Sequence, residues 1–460
     1  MSSHITSPHR KHAIVIGGGI AGLATARVLF YHFERVTIVE PDHYPEKPAF
    51  RSGVPQGRQT HLMLLSGRSV LEELFPGITT KLQAQGAIPL DLLREAIMNF
   101  GEGRIHRIPS SMMLYTCSRA LIEWQIHQLL RLSPQIRILE GYEVVGLLTD
   151  AKKQAVAGVK IRERNTQAPS EHTTQELEAN LVVEASGRST QMPQWLQELG
   201  FLPPSEVVVD PFLGYATGIY EPGLDPERDW KSIIIQSSVH QRTRAGVLHT
   251  IEDHRWMVSL AGAGRDYPPT DEAGFLEFAR SLPDPCLYMV LKEARLLSKI
   301  YGYRQTKNRW LQYEQLRHLP ENLVMIGDAV CAFNPVYAQG MSVALLEAKV
   351  LDACLLKYQG KTLRGLVPTF QKALARTVAV PWQLATAADS RLPTTEGAQR
   401  NALSTLFNWY MDHLMARLPY DDTIAQAFAE VIQLAHSPGL LFRPDIVLKI
   451  LVRNTEQEKR

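Results

Sequence analysis

Apolar residues follow one another along this chain in two rhythms, short β-branched runs and a three-to-four spacing, and their order predicts an α/β architecture. The stretch HAIVIGGGIAGLATARVLFYHFERVTIVEPD reads as a strand over Ala13–Ile16, a glycine turn, a helix over about Ile20–Phe33 and a second strand over Arg35–Glu40. A polar Pro/Gly/Arg-rich loop, PEKPAFRSGVPQGRQTHL, comes next, too polar for a core and long enough to carry function. Helical spacing returns over Ser66–Phe75, and short strands are expected near Ile97–Phe100, Arg104–Ile108 and Met112–Thr116. Ser118 is placed to cap the helix RALIEWQIHQLLRL.

Residues 136–184 read as strands interrupted by the polar hairpin RERNTQAPSEHTTQE, and ANLVVEASGRSTQMPQWLQELG repeats the order strand, glycine turn, helix. Alternating runs such as FLGYATGIYE, KSIIIQSS and RAGVLHTIEDHRWMVSLAG predict a mostly antiparallel sheet over 205–318. Residues 319–350 resume the strand-turn-helix style, and the tail from about 360 is helical and amphipathic, as in LSTLFNWYMDHLMARL and PDIVLKILVR, with packing against the body as its default role.

At 460 residues the chain exceeds what one hydrophobic core usually serves. The expected organisation is a Rossmann-like nucleotide-binding domain in three pieces (1–83, 118–204 and 319–358), interleaved with a mostly antiparallel β-sheet substrate domain (84–117 and 205–318) and followed by a C-terminal helical region (359–460).

Charge removes some partners from consideration. With 49 Lys and Arg against 47 Asp and Glu, the formal charge of +2 gives no field that would draw the whole chain to nucleic acid or to an anionic membrane. Cys117, Cys286, Cys331 and Cys354 are widely spaced, without a C-x-x-C pair or a His-rich neighbourhood, so buried free thiols are expected and no metal site. The N-terminal MSSHITSPHRKH lacks the apolar core of a signal peptide, and no run of about 18 apolar residues occurs; a cytoplasmic protein without stable membrane insertion is expected. Oligomeric state is left open.

Candidate chemistry begins at Gly17-x-Gly19-x-x-Gly22, which gains weight from the strand before it, the helix after it and a second strand ending in Glu40, 18 residues beyond Gly22. Gly17 suits a tight turn, Gly19 a close approach of backbone to pyrophosphate, and Gly22 the packing of helix on strand, while the helix N-terminus offers N–H groups to phosphates. Glu40 would accept hydrogen bonds from a ribose diol and repel a 2′-phosphate. About 300 residues later, LVMIGDAVCAFNPVYAQGMSVALLEA inserts Asp328 and a Pro/Gly-kinked loop between strand and helix. An NAD site needs no such distant piece, whereas FAD is longer: Asp328 can serve its ribityl hydroxyls, and the N–H groups near Gly340-Met341 the pyrimidine edge of its ring.

These pieces, together with GVPQGRQTH, SRALIE and EASGRSTQMPQWLQELG, resemble FAD-dependent monooxygenases of the p-hydroxybenzoate hydroxylase fold, specifically the bacterial branch related to squalene-type and polyether epoxidases and to geranylgeranyl-reductase-like flavoproteins. The resemblance implies a cofactor-binding set of Gly17, Gly19, Ile20, Ala21, Gly22, Glu40, Gln56, Arg119, Val144, Gly327, Asp328, Gly340 and Met341. Arg119 is read either as the cation beside the FAD phosphates or as a helix-end charge. Gly53–Gln56 would pass the flavin ring with Arg51, Arg58 and His61 nearby, His61 being a catalyst or a surface residue. Phe333, Tyr337, Trp256 and Tyr215 are candidates to line an apolar substrate cavity, core packing being the alternative, and Tyr337 is with His61 a candidate for catalysis.

Two departures from the family pattern stand out. Ala185-Ser186-Gly187 replaces Ala-Asp-Gly, which bears on direct NADPH use, and Ala338 replaces a glycine, so the loop by the flavin is expected to take a different shape. No second Gly-x-Gly-x-x-Gly follows a strand, so NAD(P)H is expected to reach the flavin directly or through a separate reductase. The activity implied is transfer of one atom of O2, through a flavin hydroperoxide, to an electron-rich alkene or an aromatic or polycyclic small molecule of specialised metabolism, by hydroxylation or epoxidation. An FAD-dependent reductase or dehydrogenase of the geranylgeranyl-reductase type, a flavin-dependent halogenase and a non-catalytic flavin-binding protein are the alternatives.

Overall fold

A computed structural model describes residues 10–164, 174–225, 227–236 and 243–451. The tip of the polar hairpin at 165–173, the end of KSIIIQSS and the last residues of PDIVLKILVR lie outside the described residues.

The centre is a five-stranded, all-parallel sheet in the order Leu323–Met325, Leu181–Glu184, His12–Ile16, Arg35–Glu40, Ile136–Glu140. His12–Ile16 is buried throughout, as a strand covered on both faces must be, which explains its unbroken apolar run. Register aligns Ala13 with Leu181 and Val182 with Leu323, so the three chain interruptions, at Gly17, Ala185 and Gly327, emerge side by side at the carboxyl ends of neighbouring strands. That edge is where ligands bind in open parallel sheets. Helix Ile20–Leu29 packs on Gly340–Lys357, covering one face. The first helix stops four residues short of Phe33, because the N–H groups of Tyr31 and His32 turn back to carbonyls three residues behind and the chain tightens into a turn.

The larger sheet has seven strands. Its path runs Arg295–Leu296, Gly214–Glu221, Trp256–Gly262, Arg244–Thr250, Ser232–Gln236, Ala96–Asn99, with Tyr301–Tyr303 also on Gly214–Glu221. Every contact is antiparallel except that of Ala96–Asn99 with Ser232–Gln236. The expected strand at Arg104–Ile108 is absent: Gly101 and Gly103 turn the chain with φ of 98° and 135°, leaving one bridge between Asn99 and Arg104. Two helices inside 205–318 were not expected, Glu272–Arg280, capped by Asp271, and Cys286–Leu291. They bury Phe275, Phe278 and Leu287 against the outer face of this sheet, which shows Ile233, Val258 and Leu260.

The tail closes over the other side. Leu366–Ser390 packs along Gly340–Lys357, and Ala402–Met415, Asp422–Ile432 and Pro444–Leu451 share an apolar cluster with Leu62, Leu92, Met98 and Leu114. Among the described residues no helix is long and apolar enough to cross a membrane. All four cysteines are free thiols; Cys117, Cys331 and Cys354 are buried and Cys286 half-buried.

Candidate functional site

A cleft of about 310 Å³ opens where the three interruptions meet. Gly17, Gly19, Ile20, Ala21, Glu40, Gln56, His61, Arg119, Val144, Tyr215, Asp328, Phe333, Gly340 and Met341 all line it, although they come from positions more than 300 residues apart. Gly22 and Gly327 stand behind the wall. A side chain at Gly22 would run into the carbonyl oxygen of Gly17, and one at Gly17, held at φ 94°, would come within 2.7 Å of Ala185 O. Gly19 differs: a Cβ there meets no protein atom within 4 Å, so its smallness serves the cleft and not packing. Since Gly19 precedes a helix whose first turn has neither side-chain cap nor acidic residue, the N–H groups at that end are free to receive an anion.

The remaining donors suit the same ligand. Arg119 heads the helix Arg119–Arg131, which Ser118 caps by accepting from Leu121 N–H at 3.1 Å. The Arg119 guanidinium is nearly buried and among the described residues has Glu123, at 3.7 Å, as its ionic partner, so a charge of opposite sign is wanted on its cleft side. Glu40 is held from behind: Oε2 accepts from Gly18 N–H at 2.6 Å, and Oε1 accepts from Asp42 N–H at 2.9 Å and is ion-paired with Arg51 at 3.0 Å. Burial raises its pKa against the pull of Arg51, and a free lone pair on Oε2 is left for a ribose hydroxyl. Asp328 lies 3.4 Å from Arg188, whose guanidinium also donates to the carbonyls of Lys307 and Phe333 and so ties the loop after Asp328 to the glycine turn at Ser186-Gly187. Phosphate donors, a diol acceptor and a second acceptor at the far end therefore fit FAD along one continuous groove.

Several expectations are corrected. Arg51 does not line the cleft; it is buried behind Glu40, paired with Glu40 and Glu123 and lying over the Tyr44 ring. Arg58 lies over Tyr301, 4.5 Å from the ring centroid, outside the cleft. Trp256 does not line the cleft: register puts it opposite Tyr220, on the outer sheet face, where it packs against Trp230. Tyr215 and Thr217 point the other way, and Thr217 and Ser259 are hydrogen-bonded to Gln59 and Thr60, holding the 53–61 loop on the sheet. Ala338 adopts a left-handed conformation, φ 54° and ψ 21°, so the loop takes the backbone shape a glycine would have allowed.

His61 is enclosed except toward the cleft, and burial, reinforced by Arg119, pushes its pKa down to about 3. It is neutral at physiological pH. Because Nδ1 lies 2.8 Å from the carbonyl of Gln59, which can only accept, the ring proton sits on Nδ1 and Nε2 is the acceptor.

A second cavity, of about 350 Å³, adjoins the first and shares Ala338 and Gln339 with it. Leu62, Leu64, Met98, Ile234, Phe428 and Ile432 line most of it, from the larger sheet and the tail helices, and Tyr337 faces this cavity instead of the cleft. Its polar corner holds Asp389, which sequence reasoning missed: a lone Asp near the end of an amphipathic helix carries no motif. Asp389 accepts from Tyr337 Oη at 2.7 Å, Asn308 Nδ2 at 2.6 Å and Asn334 Nδ2 at 3.1 Å. Among the described residues no group of three His, Cys, Asp or Glu is placed to hold a metal ion.

No model of a known protein family matches the sequence. The chain is 28% identical over 396 residues to Protein Rv3254 of Mycobacterium tuberculosis, covering 84% of this chain and 81% of that one. The flavin-dependent brominase Bmp2 superposes with a TM-score of 0.66 at 13% identity, over 97% of this chain and 99% of its own. PqsL of Pseudomonas aeruginosa, described as a probable FAD-dependent monooxygenase, gives 0.59 at 15% identity, over 91% of this chain and 100% of its own. The parallel core, the antiparallel sheet and the helical tail together make the fold of FAD-dependent halogenases and monooxygenases.

Proposed function

We propose that the protein is an FAD-dependent monooxygenase that delivers one oxygen atom to an electron-rich, apolar small molecule, with NAD(P)H as electron source, direct or through a partner reductase. The observation that carries this reading is the largely apolar chamber that adjoins the cleft and shares Ala338 and Gln339 with it. When bound, FAD supplies the reduction and activation of O2. The chain supplies the rest. Gly17, Gly19 and the helix N-terminus would hold the pyrophosphate, Arg119 would neutralise it, Glu40 would take the ribose diol and Asp328 the ribityl hydroxyls. Leu62, Met98, Phe428 and Ile432 would keep water from the atoms that react there. His61, neutral and fixed as an acceptor, orients without competing for protons.

The test has three readings on one sample. Purified protein offered FAD should show a flavin absorption spectrum. With NAD(P)H, a flavin reductase and candidate aromatic or alkene substrates, product should gain one atom from 18O2. Parallel reactions containing bromide should yield no brominated product, and anaerobic reactions no product at all. Label from water alone, halogenation, or anaerobic turnover would each replace this reading with another.

A further inference from the structure

The apolar chamber has a polar corner at Tyr337 and Asp389, and its hydrogen-bonding sense is specific. Tyr337 gives its only hydroxyl proton to Asp389 at 2.7 Å, which leaves its oxygen as an acceptor; Asp389 is an acceptor throughout, engaged by Asn308, Asn334 and Tyr337. Arg244 and Arg391, cations that also line the chamber, are paired with Asp266 and Asp412. On the cleft side, Tyr215 carries a buried hydroxyl without a hydrogen-bond partner among the described residues, and it lies close enough to feel the charges of Asp389 and Arg188. A ligand group that only accepts finds nothing to bind at Tyr337. A group that donates does.

We propose that Tyr337 and Asp389 form an acid–base subsite that reads a hydroxyl, and that the substrate of the oxygenation proposed above presents a phenolic or enolic O–H to Tyr337. The inference rests on that reading for its catalytic part and on geometry alone for its binding part. In the proton step the substrate O–H bond breaks and an O–H bond forms on Tyr337 Oη, while the proton that Tyr337 held moves to Asp389 Oδ1. The pair keeps its total charge, the negative charge passes from Asp389 to the substrate oxygen, and the ring carbons ortho and para to it become more electron-rich. A plain alkene gains nothing from this corner.

Burial raises the pKa of Asp389 to about 6, opposed by the hydrogen bonds from Tyr337, Asn334 and Asn308 and reinforced by Asp210. The other titratable groups around the pair are Tyr215 and Arg391, both acting on Tyr337. Asp389 is therefore an anion and a proton acceptor above about pH 6, and protonated below it.

The test uses 2-naphthol and 2-methoxynaphthalene, in which a methyl group replaces the hydroxyl proton, with binding to the full chain measured by equilibrium dialysis and Tyr337→Phe as the control for the added methyl. The naphthol should bind about tenfold or more tightly, as a buried hydrogen bond to a charged network warrants. Its affinity should fall below pH 6 while that of the ether stays level. Tyr337→Phe, which removes one oxygen atom, should bring the ratio to about one by the same measure. Asp389→Asn should abolish the pH dependence; if loss of its Asn contacts unfolds that variant, Tyr337→Phe alone decides. Equal affinities in the unaltered protein, failure of the naphthol to bind, or a ratio that persists in Tyr337→Phe would overturn the proposal. Protein that stays colourless with FAD yet keeps the ratio removes the oxygenase reading and leaves the subsite standing; yellow protein with no ratio does the reverse.

Discussion

Three glycines of one motif are small for different reasons, and the difference can be measured. At Gly22 a side chain would collide with the Gly17 carbonyl, whereas at Gly19, with φ of −73°, it would collide with nothing in the protein. Gly22→Ala should therefore lower stability by several kcal/mol, about 2–4 by analogy with other steric insertions in packed backbone. Gly19→Ala should leave thermal unfolding of the FAD-free protein nearly unchanged and weaken FAD binding tenfold or more, since the methyl stands where backbone must approach phosphate. Thermal denaturation and fluorescence titration of the two variants would separate these effects; equal losses of stability would refute the distinction. Ala338 is the complementary case, a residue with a side chain in a glycine's conformation at φ 54°. The strain of about 1–2 kcal/mol is partly offset by the greater freedom of glycine in the unfolded chain, so Ala338→Gly should stabilise by about 0.5–1 kcal/mol in urea unfolding.

At the scale of elements, what the sequence made legible was local. The strand-turn-helix pieces at 12–40, 179–200 and 323–357 carry their own punctuation, and Ser118 caps as its position implied. Ser118→Ala should cost about 1 kcal/mol in urea unfolding and loosen Arg119 at the helix start, lowering FAD affinity as well. What stayed hidden depends on partners distant in the chain. Tyr215 and Trp256 look alike as aromatic strand residues, but the pairing of Tyr215 with Ala261 and of Tyr220 with Trp256 sends them to opposite faces, and a shift of one residue would exchange them. The helices Glu272–Arg280 and Cys286–Leu291 sit in a stretch whose strands dominate its pattern, and their apolar faces acquire meaning only against the outer face of the larger sheet. Asp389 is the same lesson on a helix: its role exists because Asn308, Asn334 and Tyr337 arrive from elsewhere.

Over the whole molecule, convergence of distant pieces at one sheet edge places a carboxyl group where no solvent reaches it. Glu347, fully buried in Gly340–Lys357, accepts from Gly327 N–H at 2.5 Å and so fixes the turn that presents Asp328 to the cleft. Burial moves its pKa from 4.5 up to about 8, opposed by that N–H and reinforced by Asp328. A carboxyl whose folded pKa lies above its unfolded one holds extra protons in the folded state. Its contribution to stability is complete below about pH 4.5 and is lost as pH rises through about 8. Between pH 5 and pH 9 the folded protein should lose on the order of 2–4 kcal/mol from this group, allowing for relaxation around the charge. Asp389, raised in the same direction, adds a loss that begins at lower pH. Glu347→Gln keeps an oxygen for Gly327 N–H and removes the titration, so its urea-unfolding free energy should match that of the unaltered protein near pH 5 and exceed it near pH 9. The difference between the two pH curves belongs to Glu347 and leaves the Asp389 contribution common to both. Parallel curves would mean that the carboxyl ionises without penalty, and that the turn beneath Asp328 is held by something other than a buried, protonated acid.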